Sequence, residues 1–385
     1  MKRTACRQIV ECFRLEKDCD SMQNKPRVLV AMSGGVDSSL TAALLVRQGY
    51  DVIGATMQLW EDNMERFDPN YRGCCSLSAV DDARRVADTL GIPYYVLNFR
   101  HMFQETVIDY FIQEYSSGRT PNPCIACNRH LKFSGLLRKA LELGAQHVAT
   151  GHYARIGFDE AAGRYALRKG VDATKDQSYA LYHLNQYTLS HFLMPLGDYA
   201  KTETRRLARE FGLSVAEKPD SQEICFIPDD DYKRFLEEKA PDALKPGNIL
   251  DTRGKLVGRH KGLPLYTVGQ RKGLGIAAGS PLYVVALDYD KNELIVGSDQ
   301  DVFSAGLIAS DVNYIAFDEL TQPLRVTAKI RYSAREAEAL VSPLADGDIR
   351  VDFSQAQRAV TPGQSVVFYN GDTVVGGGII QKAIN

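Results

Sequence analysis

The sequence predicts an α/β fold: a doubly wound parallel sheet, then a small mixed central domain, then a C-terminal β-barrel. Three observations carry that prediction. From Pro26 to about Thr150, short apolar runs alternate with stretches of helical length and period, as in parallel strands joined by helices. The first run, Arg27-Val28-Leu29-Val30, passes through a Ser/Gly loop directly into the helical pattern Leu40-Thr41-Ala42-Ala43-Leu44-Leu45. From about Pro246 the texture changes to short strands and glycine turns, which suits a small barrel. The expected divisions are a disordered extension over 1–24, a sheet domain over 25–230, a central domain over 231–300 and a barrel over 301–385.

At 385 residues the chain has room for two or three domains. Hydrophobic content of 44% and charge of 24% are ordinary for a globular protein. No apolar run approaches the roughly 18 residues that a membrane span needs. The N-terminus has no apolar core of a secretory signal, and Met1 to Asn24 reads as an extension or as sequence preceding a start at Met22. Eight cysteines in so long a chain make no disulfide framework, so a cytoplasmic location with catalytic or metal-binding thiols is expected. A net charge of −2 does not mark a nucleic-acid binder, and any cationic surface has to be local.

The elements follow in order. A strand over Arg27 to Ala31 feeds the loop and a helix to about Gln48. A second strand, Asp51 to Met57, leads to Trp60, and a helix over Ser78 to Leu90 ends at Gly91 and Pro93. A third strand follows at Tyr94 to Phe99, then helices at about Phe103 to Tyr115 and Phe133 to Leu143, then a strand at His147 to Thr150. Ile156 to Arg168 reads as a hairpin turning at Glu160 to Gly163. Thr202 to Phe211 reads as a helix with Thr202 as N-cap, and Asp231 to Lys239 as a short helix. Leu282 to Leu287 and Glu293 to Val296 form a hairpin, and Leu324 to Ile330, Ile349 to Phe353, Ser365 to Tyr369 and Thr373 to Ile380 are barrel strands.

The chemistry starts at Ala31-Met32-Ser33-Gly34-Gly35-Val36-Asp37-Ser38-Ser39. A strand, a tight glycine loop and a helix N-terminus together make an anion site, with loop N–H groups turned inward. No Lys follows the glycines, which excludes the GxxxxGK[ST] phosphate loop. Ligands of open parallel sheets collect outside the C-terminal strand ends, which places Met57 beside an adenine. Gly118-Arg119-Thr120-Pro121-Asn122-Pro123-Cys124-Ile125-Ala126-Cys127-Asn128 presents a C-x-x-C where a loop meets a helix, a setting that favours thiolate. Half a zinc site, a thioredoxin-like pair and an active-site thiol awaiting another all remain open on the residues alone. Cys225, in Lys218-Pro219-Asp220-Ser221-Gln222-Glu223-Ile224-Cys225-Phe226-Ile227-Pro228, is the candidate for that other thiol, with a packed core cysteine as the alternative. Cys74-Cys75 reads as structural, and Cys6, Cys12 and Cys19 match no metal spacing. Arg253, Lys255, Arg259, Lys261, Arg271 and Lys272 are six cations within twenty residues that hold no carboxylate, a candidate phosphate-contacting patch with an ordinary solvated basic surface as the alternative.

The glycine loop resembles the SGGxDS loop of the PP-loop ATP pyrophosphatases, which have a HUP-like sheet. That loop, GCCS, RTPNPCIACN, ATGHYAR, KDQSYAL and DSQEICFIP occur in an order similar to that of the tRNA-specific 2-thiouridylases. The resemblance continues through Gly258-Arg259-His260-Lys261-Gly262, Tyr266 to Gly275, Arg331-Tyr332 and Pro362-Gly363-Gln364, and covers about Lys25 to the C-terminus. It implies ATP-dependent replacement of the C2 oxygen of a wobble uridine by sulfur. Ala31, Met32, Ser33, Gly34, Gly35, Val36, Asp37, Ser38, Met57 and Gly151 would hold ATP, with Asp37 near Mg²⁺. A persulfide on Cys225 would supply sulfur, and Cys127 would resolve the S–S linkage. Asn122, Pro123 and Cys124 would meet the target base, and His152, Lys175, Asp176, Gln177, Arg331, Tyr332 and Gln364 would contact tRNA. The family implies tRNAs for Lys, Glu and Gln, and a cysteine desulfurase or sulfur-carrier protein as donor. Many members have Asp where this chain has Cys124. The three thiols Cys124, Cys127 and Cys225 would suit a 4Fe-4S cluster with one open iron, an alternative route to the same product. Competing readings are another PP-loop adenylating ligase, or a non-catalytic RNA-binding or metal-storage protein. The first predicts ATP-dependent chemistry that survives Cys225→Ser, and the second predicts no ATP turnover.

Overall fold

The computed structural model describes residues 26–59, 77–220, 224–227, 229–277 and 279–385. Readings that fall on 1–24, Trp60, Cys74-Cys75, Ser221 to Glu223 and Pro228 lie outside the described residues. Strands β1 (Arg27–Ala31), β2 (Asp51–Gln58), β3 (Tyr94–Asn98), β4 (His147–Ala149) and β7 (Phe192–Leu193) form a parallel sheet in the order β3-β2-β1-β4-β7. Leu29 is fully buried in β1, and both neighbours pair with it in parallel register, Val28 facing Val52 on one side and His147 on the other. The strand order reverses between β1 and β4, so a crevice opens at their C-terminal ends, where ligands of such sheets bind.

Helix α1 (Val36–Gln48) starts directly from the Ser/Gly loop, and Gly49 in the left-handed region ends it. Helix α2 spans Leu77–Leu90. Helix α3 begins at Arg100, three residues before the expected start, and runs to Ser116 through a π-helical stretch at Gln104–Asp109. Helix α4 corrects the sequence reading more strongly. It starts at Pro123, not Phe133, and reaches Glu142 through a second π-helical stretch, Asn128–Gly135. Pro123 takes the first helical position, where its missing N–H costs nothing. The C-x-x-C therefore lies on the first turn of α4, at the junction of loop and helix where the sequence placed it. After α5 (Gln186–His191), α6 (Lys201–Glu210) has Ala200 at its N-cap with no side-chain bond, so Thr202 is not the cap. Asp231 does cap α7 (Tyr232–Lys239), accepting from Lys233 and Arg234 N–H.

The central sheet takes the order β10-β11-β8-β9, from β8 (Gly247–Asp251), β9 (Leu256–His260), β10 (Tyr283–Asp288) and β11 (Glu293–Gly297). The barrel strands are β12 (Phe303–Tyr314), β13 (Leu324–Lys329), β14 (Ala337–Pro343), β15 (Ile349–Arg358), β16 (Ser365–Asn370) and β17 (Thr373–Ile384). Pairing of β12 with β17 closes the six into a ring. The sequence reading missed β8, β9, β12 and β14. The hairpin β5 (Ala154–Asp159) and β6 (Arg164–Lys169), expected within the sheet domain, extends the barrel sheet through β17. No helix among the described residues is long and apolar enough to cross a membrane.

Candidate active site

The Ser/Gly loop is held in shape from within. Ser33 N–H donates to Ser38 Oγ at 3.1 Å, and Ser38 Oγ–H donates to the Gly35 carbonyl at 3.2 Å. The two glycines are not equivalent. Gly34 has φ +66°, and a Cβ there would stand 2.1 Å from the Ala79 carbonyl of α2. Gly35 has φ −96° and meets only Ser33 Oγ, at 3.5 Å. Across the crevice, Gly151 follows β4, and a Cβ on it would come within 2.8 Å of Ser38 N. Glycine is thus required at 34 and 151 by close packing as well as by any phosphate approach. Ala31 and Met57 are half-buried at the C-terminal ends of β1 and β2, while Met32 and Val36 are buried in the core.

Asp37, in the first turn of α1, faces Lys201. Lys201 Nζ stands 2.8 Å from both carboxylate oxygens, and the Tyr153 hydroxyl donates to Oδ1 at 2.7 Å. Burial and the Asp37 charge push the Tyr153 phenol well above its ordinary range. Lys201, only 8% exposed, also pairs with Asp220 at 2.8 Å. Asp220 in turn binds Lys175 at 2.8 Å and Arg205 at 3.1 Å. Burial opposes the Asp220 charge, but bonds from Lys175 and Lys201 outweigh it and hold the carboxyl below the ordinary range. Sequence reading missed Lys201, Arg205, Tyr153 and the role of Asp220. A lysine at the head of an amphipathic helix carries no local sign that its ammonium turns inward.

These contacts bear on magnesium. A carboxylate already neutralised by an ammonium group does not offer itself as a metal ligand, so Asp37 as placed does not fit a resident ion. Among the described residues, which include Cys124, Cys127 and Cys225, no group of three His, Cys, Asp or Glu side chains is gathered to hold a metal.

The thiol residues are placed by α4 and the segment before α7. The Asn122 side chain accepts from Cys124 N–H at 3.1 Å and Ile125 N–H at 3.3 Å, fixing the first turn of α4. Cys124 and Cys127, three residues apart, share one face of that turn. Cys124 is exposed and Cys127 half-buried. Cys225 is half-buried too, and it packs against the same core cluster as Cys127. Its neighbour Phe226 anchors the segment edge-on against Phe103 and Phe111 of α3 and Phe235 of α7, with centroids 6.0, 5.1 and 5.4 Å away.

Of the residues expected to meet tRNA, Gln364 reaches the loop before α4 and the others bond elsewhere. Gln364 of the barrel donates to the Thr120 carbonyl at 2.8 Å, and Thr120 N–H donates to the Pro362 carbonyl. The Tyr332 hydroxyl donates to the Asp176 carbonyl at 3.1 Å. Asp176 caps the Ser178 turn through its carboxylate, and Gln177 Oε1 accepts from Tyr153 N–H. Arg331 reaches the Ala359 carbonyl, and burial lowers its basicity. His152 is enclosed between Thr150, 2.8 Å from its Nδ1, and the Phe133 ring, and burial keeps it neutral. Several of these side chains therefore hold protein to protein in this state. Outside that ring, Arg253, Lys255, Arg259, Lys261, Arg271 and Lys272 are all exposed. None of the six is among the ion-paired groups of the described residues.

Comparison with known proteins agrees with this layout. Residues 26–229 match the tRNA methyl transferase HUP domain family, 233–298 the tRNA methyl transferase PRC-barrel domain and 304–380 the aminomethyltransferase β-barrel domain. The tRNA-specific 2-thiouridylase MnmA of Acetivibrio thermocellus is 58% identical over 93% of this chain and 100% of its own length. That of Carboxydothermus hydrogenoformans is 55% identical over 94% of this chain and 99% of its own. A solved 4-thiouridine synthetase–RNA complex with bound ATP matches at 18% identity over 57% of this chain and 51% of that one, with a TM-score of 0.32. With identity above one half over nearly the whole length of those relatives, the chain belongs to the tRNA-specific 2-thiouridylase family.

Proposed function

We propose that this chain replaces the C2 oxygen of a tRNA wobble uridine with sulfur at the expense of ATP. Oxide is a poor leaving group. Transfer of AMP from ATP to that oxygen releases pyrophosphate and leaves a phosphoester that can depart as AMP. The loop Ser33 to Ser38 at the head of α1 would hold the phosphates, with Met57 and Gly151 flanking the adenosine. The terminal sulfur of a Cys225 persulfide then attacks C2 and expels AMP. The Cys127 thiolate attacks Sγ of Cys225, and the S–S bond to the base breaks. The products are 2-thiouridine and a Cys127–Cys225 disulfide, which an external thiol reductant reopens.

The observation that carries this reading is the Asn122 cap that fixes the turn bearing Cys127, with Cys225 half-buried next to Phe226, which packs against α3 and α7. The unpaired cations of the central region support RNA as the substrate, with tRNAs for Lys, Glu and Gln as the expected set. A cysteine desulfurase or sulfur carrier in the cytoplasm would load Cys225. The domain divisions 25–230, 231–300 and 301–385 follow as the working units of nucleotide binding, RNA docking and loop support.

The test is nucleoside mass analysis of tRNA incubated with ATP, Mg²⁺, a persulfide source and the protein. Appearance of 2-thiouridine is expected, and its absence both aerobically and anaerobically overturns the reading. Cys225→Ser and Cys127→Ser are each expected to abolish thiolation while tRNA-stimulated release of pyrophosphate persists. A Cys225→Ser protein that still thiolates would remove the persulfide step.

A further inference from the structure

The loop expected to meet the target base is held from two other regions of the chain. Thr120 lies two residues before Asn122. Its N–H donates to the Pro362 carbonyl at 2.8 Å, its carbonyl accepts from Gln364 Nε2 at 2.8 Å, and its hydroxyl meets the Thr267 hydroxyl at 3.2 Å. Pro362 and Gln364 come from the barrel, between β15 and β16, and Thr267 from the central region, between β9 and β10. Thr267 opens a closed turn. Gln270 Oε1 accepts from its N–H at 3.2 Å, and Gln270 Nε2 donates to the Lys272 carbonyl at 2.9 Å. That turn presents Arg271 and Lys272, two of the exposed cations. The stacked Tyr115 and Tyr232 rings, 5.1 Å apart, bond the Thr267 hydroxyl from α3 and α7. A second contact runs beside the first. Tyr289 lies on Gly118, where a Cβ would stand 2.2 Å from its ring, and its hydroxyl donates to the Tyr115 carbonyl at 2.8 Å.

We infer that Thr120 and Thr267 are positioning residues that fix the base loop at a set distance from the RNA-docking cations, and so decide which nucleotide of a bound tRNA is thiolated. This deepens the function proposed above and rests on it. The physical reason is that neighbouring nucleotides can be chemically identical. A UUU anticodon, expected for Lys, presents successive uridines with the same C2 oxygen, so recognition of the base does not separate them. What separates them is their distance along the strand from phosphates seated on Arg271 and Lys272, because phosphate contacts set register. A set distance requires a stiff link between that turn and Asn122. The Thr120–Thr267 hydroxyl pair is such a link, and it closes two residues from Asn122. The barrel holds the Thr120 backbone from the other side, so the hydroxyl pair governs the offset of the loop from the central region. A displacement of about 1 Å at a reacting centre is enough to cost roughly a hundredfold in rate.

The test uses the full-length protein and a tRNA transcript with a UUU anticodon. Single-turnover thiolation is located by mass analysis of ribonuclease fragments, and tRNA affinity is measured in parallel. The unaltered protein is expected to thiolate the first anticodon uridine alone. Thr120→Val and Thr267→Val remove the hydroxyl pair. Each should lower the rate at that uridine by about tenfold or more, leave tRNA affinity within about twofold, and move part of the product to adjacent uridines. Thr120→Ser should restore both rate and site. Thr89→Val, on the exposed face of α2, should change neither. A folded Thr120→Val that thiolates the first uridine at the unaltered rate overturns the inference. So does a loss that falls on affinity alone, or a slower reaction still confined to the first uridine. Should Thr120→Val not fold, Thr267→Val and Thr267→Ser decide by the same criterion. If the unaltered protein makes no 2-thiouridine, the proposed function fails and the link is read by alkylation instead. Iodoacetamide should then modify Cys124 at a clearly different rate in Thr120→Val and at the unaltered rate in Thr120→Ser, and equal rates in all three proteins overturn the link.

Discussion

At the scale of single residues, one motif contains two glycines with different duties. Gly34 needs a left-handed backbone and has no room for a methyl group against the Ala79 carbonyl. Gly34→Ala is expected to cost about 2–4 kcal/mol, from left-handed strain plus a displaced helix, and to weaken nucleotide binding. Gly35→Ala, with an ordinary φ and its nearest atom 3.5 Å away, is expected to cost less than about 1 kcal/mol. Chemical denaturation of the two variants checks the contrast, and equal losses would refute it. The motif was readable as a glycine loop before any coordinates. Which glycine is indispensable was not, because the answer lies in α2, more than forty residues away.

At the scale of elements, α4 is the informative case. Its N-cap, Asn122, and its first residue, Pro123, are a regular helix start, yet the sequence reading opened the helix only at about Phe133, ten residues later. Only Pro121 stands outside, and Pro123 opens the helix. The cap has a functional consequence because it sets the turn bearing Cys124 and Cys127. Asn122→Ala is expected to lower stability by about 1 kcal/mol and to reduce thiolation by more than that loss explains. Asn122→Asp, which keeps an acceptor, should recover most of the stability. Thermal melts beside single-turnover thiolation separate the two effects. The π-helical stretch beginning at Asn128 has no comparable sequence signal, since it depends on how α4 packs against its neighbours.

At the scale of the whole molecule, the barrel and the sheet are joined through the hairpin β5–β6 and through Gln364 at Thr120. Buried histidines lie in the same interior. Burial holds His183 down to about 3, with Arg129 and His130 adding repulsion, and neither of its ring nitrogens has a hydrogen-bond partner among the described residues. His152 is lowered well below the ordinary value by burial, with Lys132 and His183 contributing. The unfolded chain takes up these protons near pH 6.5 and the folded chain does not. Stability should therefore be undiminished above that value and fall as pH drops below it toward 3. His183→Phe, which removes one such proton, should move the acid-unfolding midpoint to lower pH in a far-UV circular dichroism titration. An unchanged midpoint would argue against His183 as a source of acid lability.

The alternation of strands and helices up to β4, the glycine loop between β1 and α1, the cysteines and the family resemblance were legible in the residues alone. These follow from local period, turn chemistry and motif order, and neighbouring residues carry them. The cationic stretch was legible too, because uncompensated charge is countable without coordinates. That the barrel sheet takes up β5–β6, that Lys201 stands between Asp37 and Asp220, and that Lys218 bonds the Gly34 carbonyl all came from the three-dimensional packing. Each of these joins residues tens to hundreds of positions apart. A buried ion pair or a shared sheet edge depends on which surfaces meet, and no local pattern records that. The chemistry of sulfur transfer is thus written in motifs, while the ion pairs around the glycine loop come from contacts between distant parts of the chain.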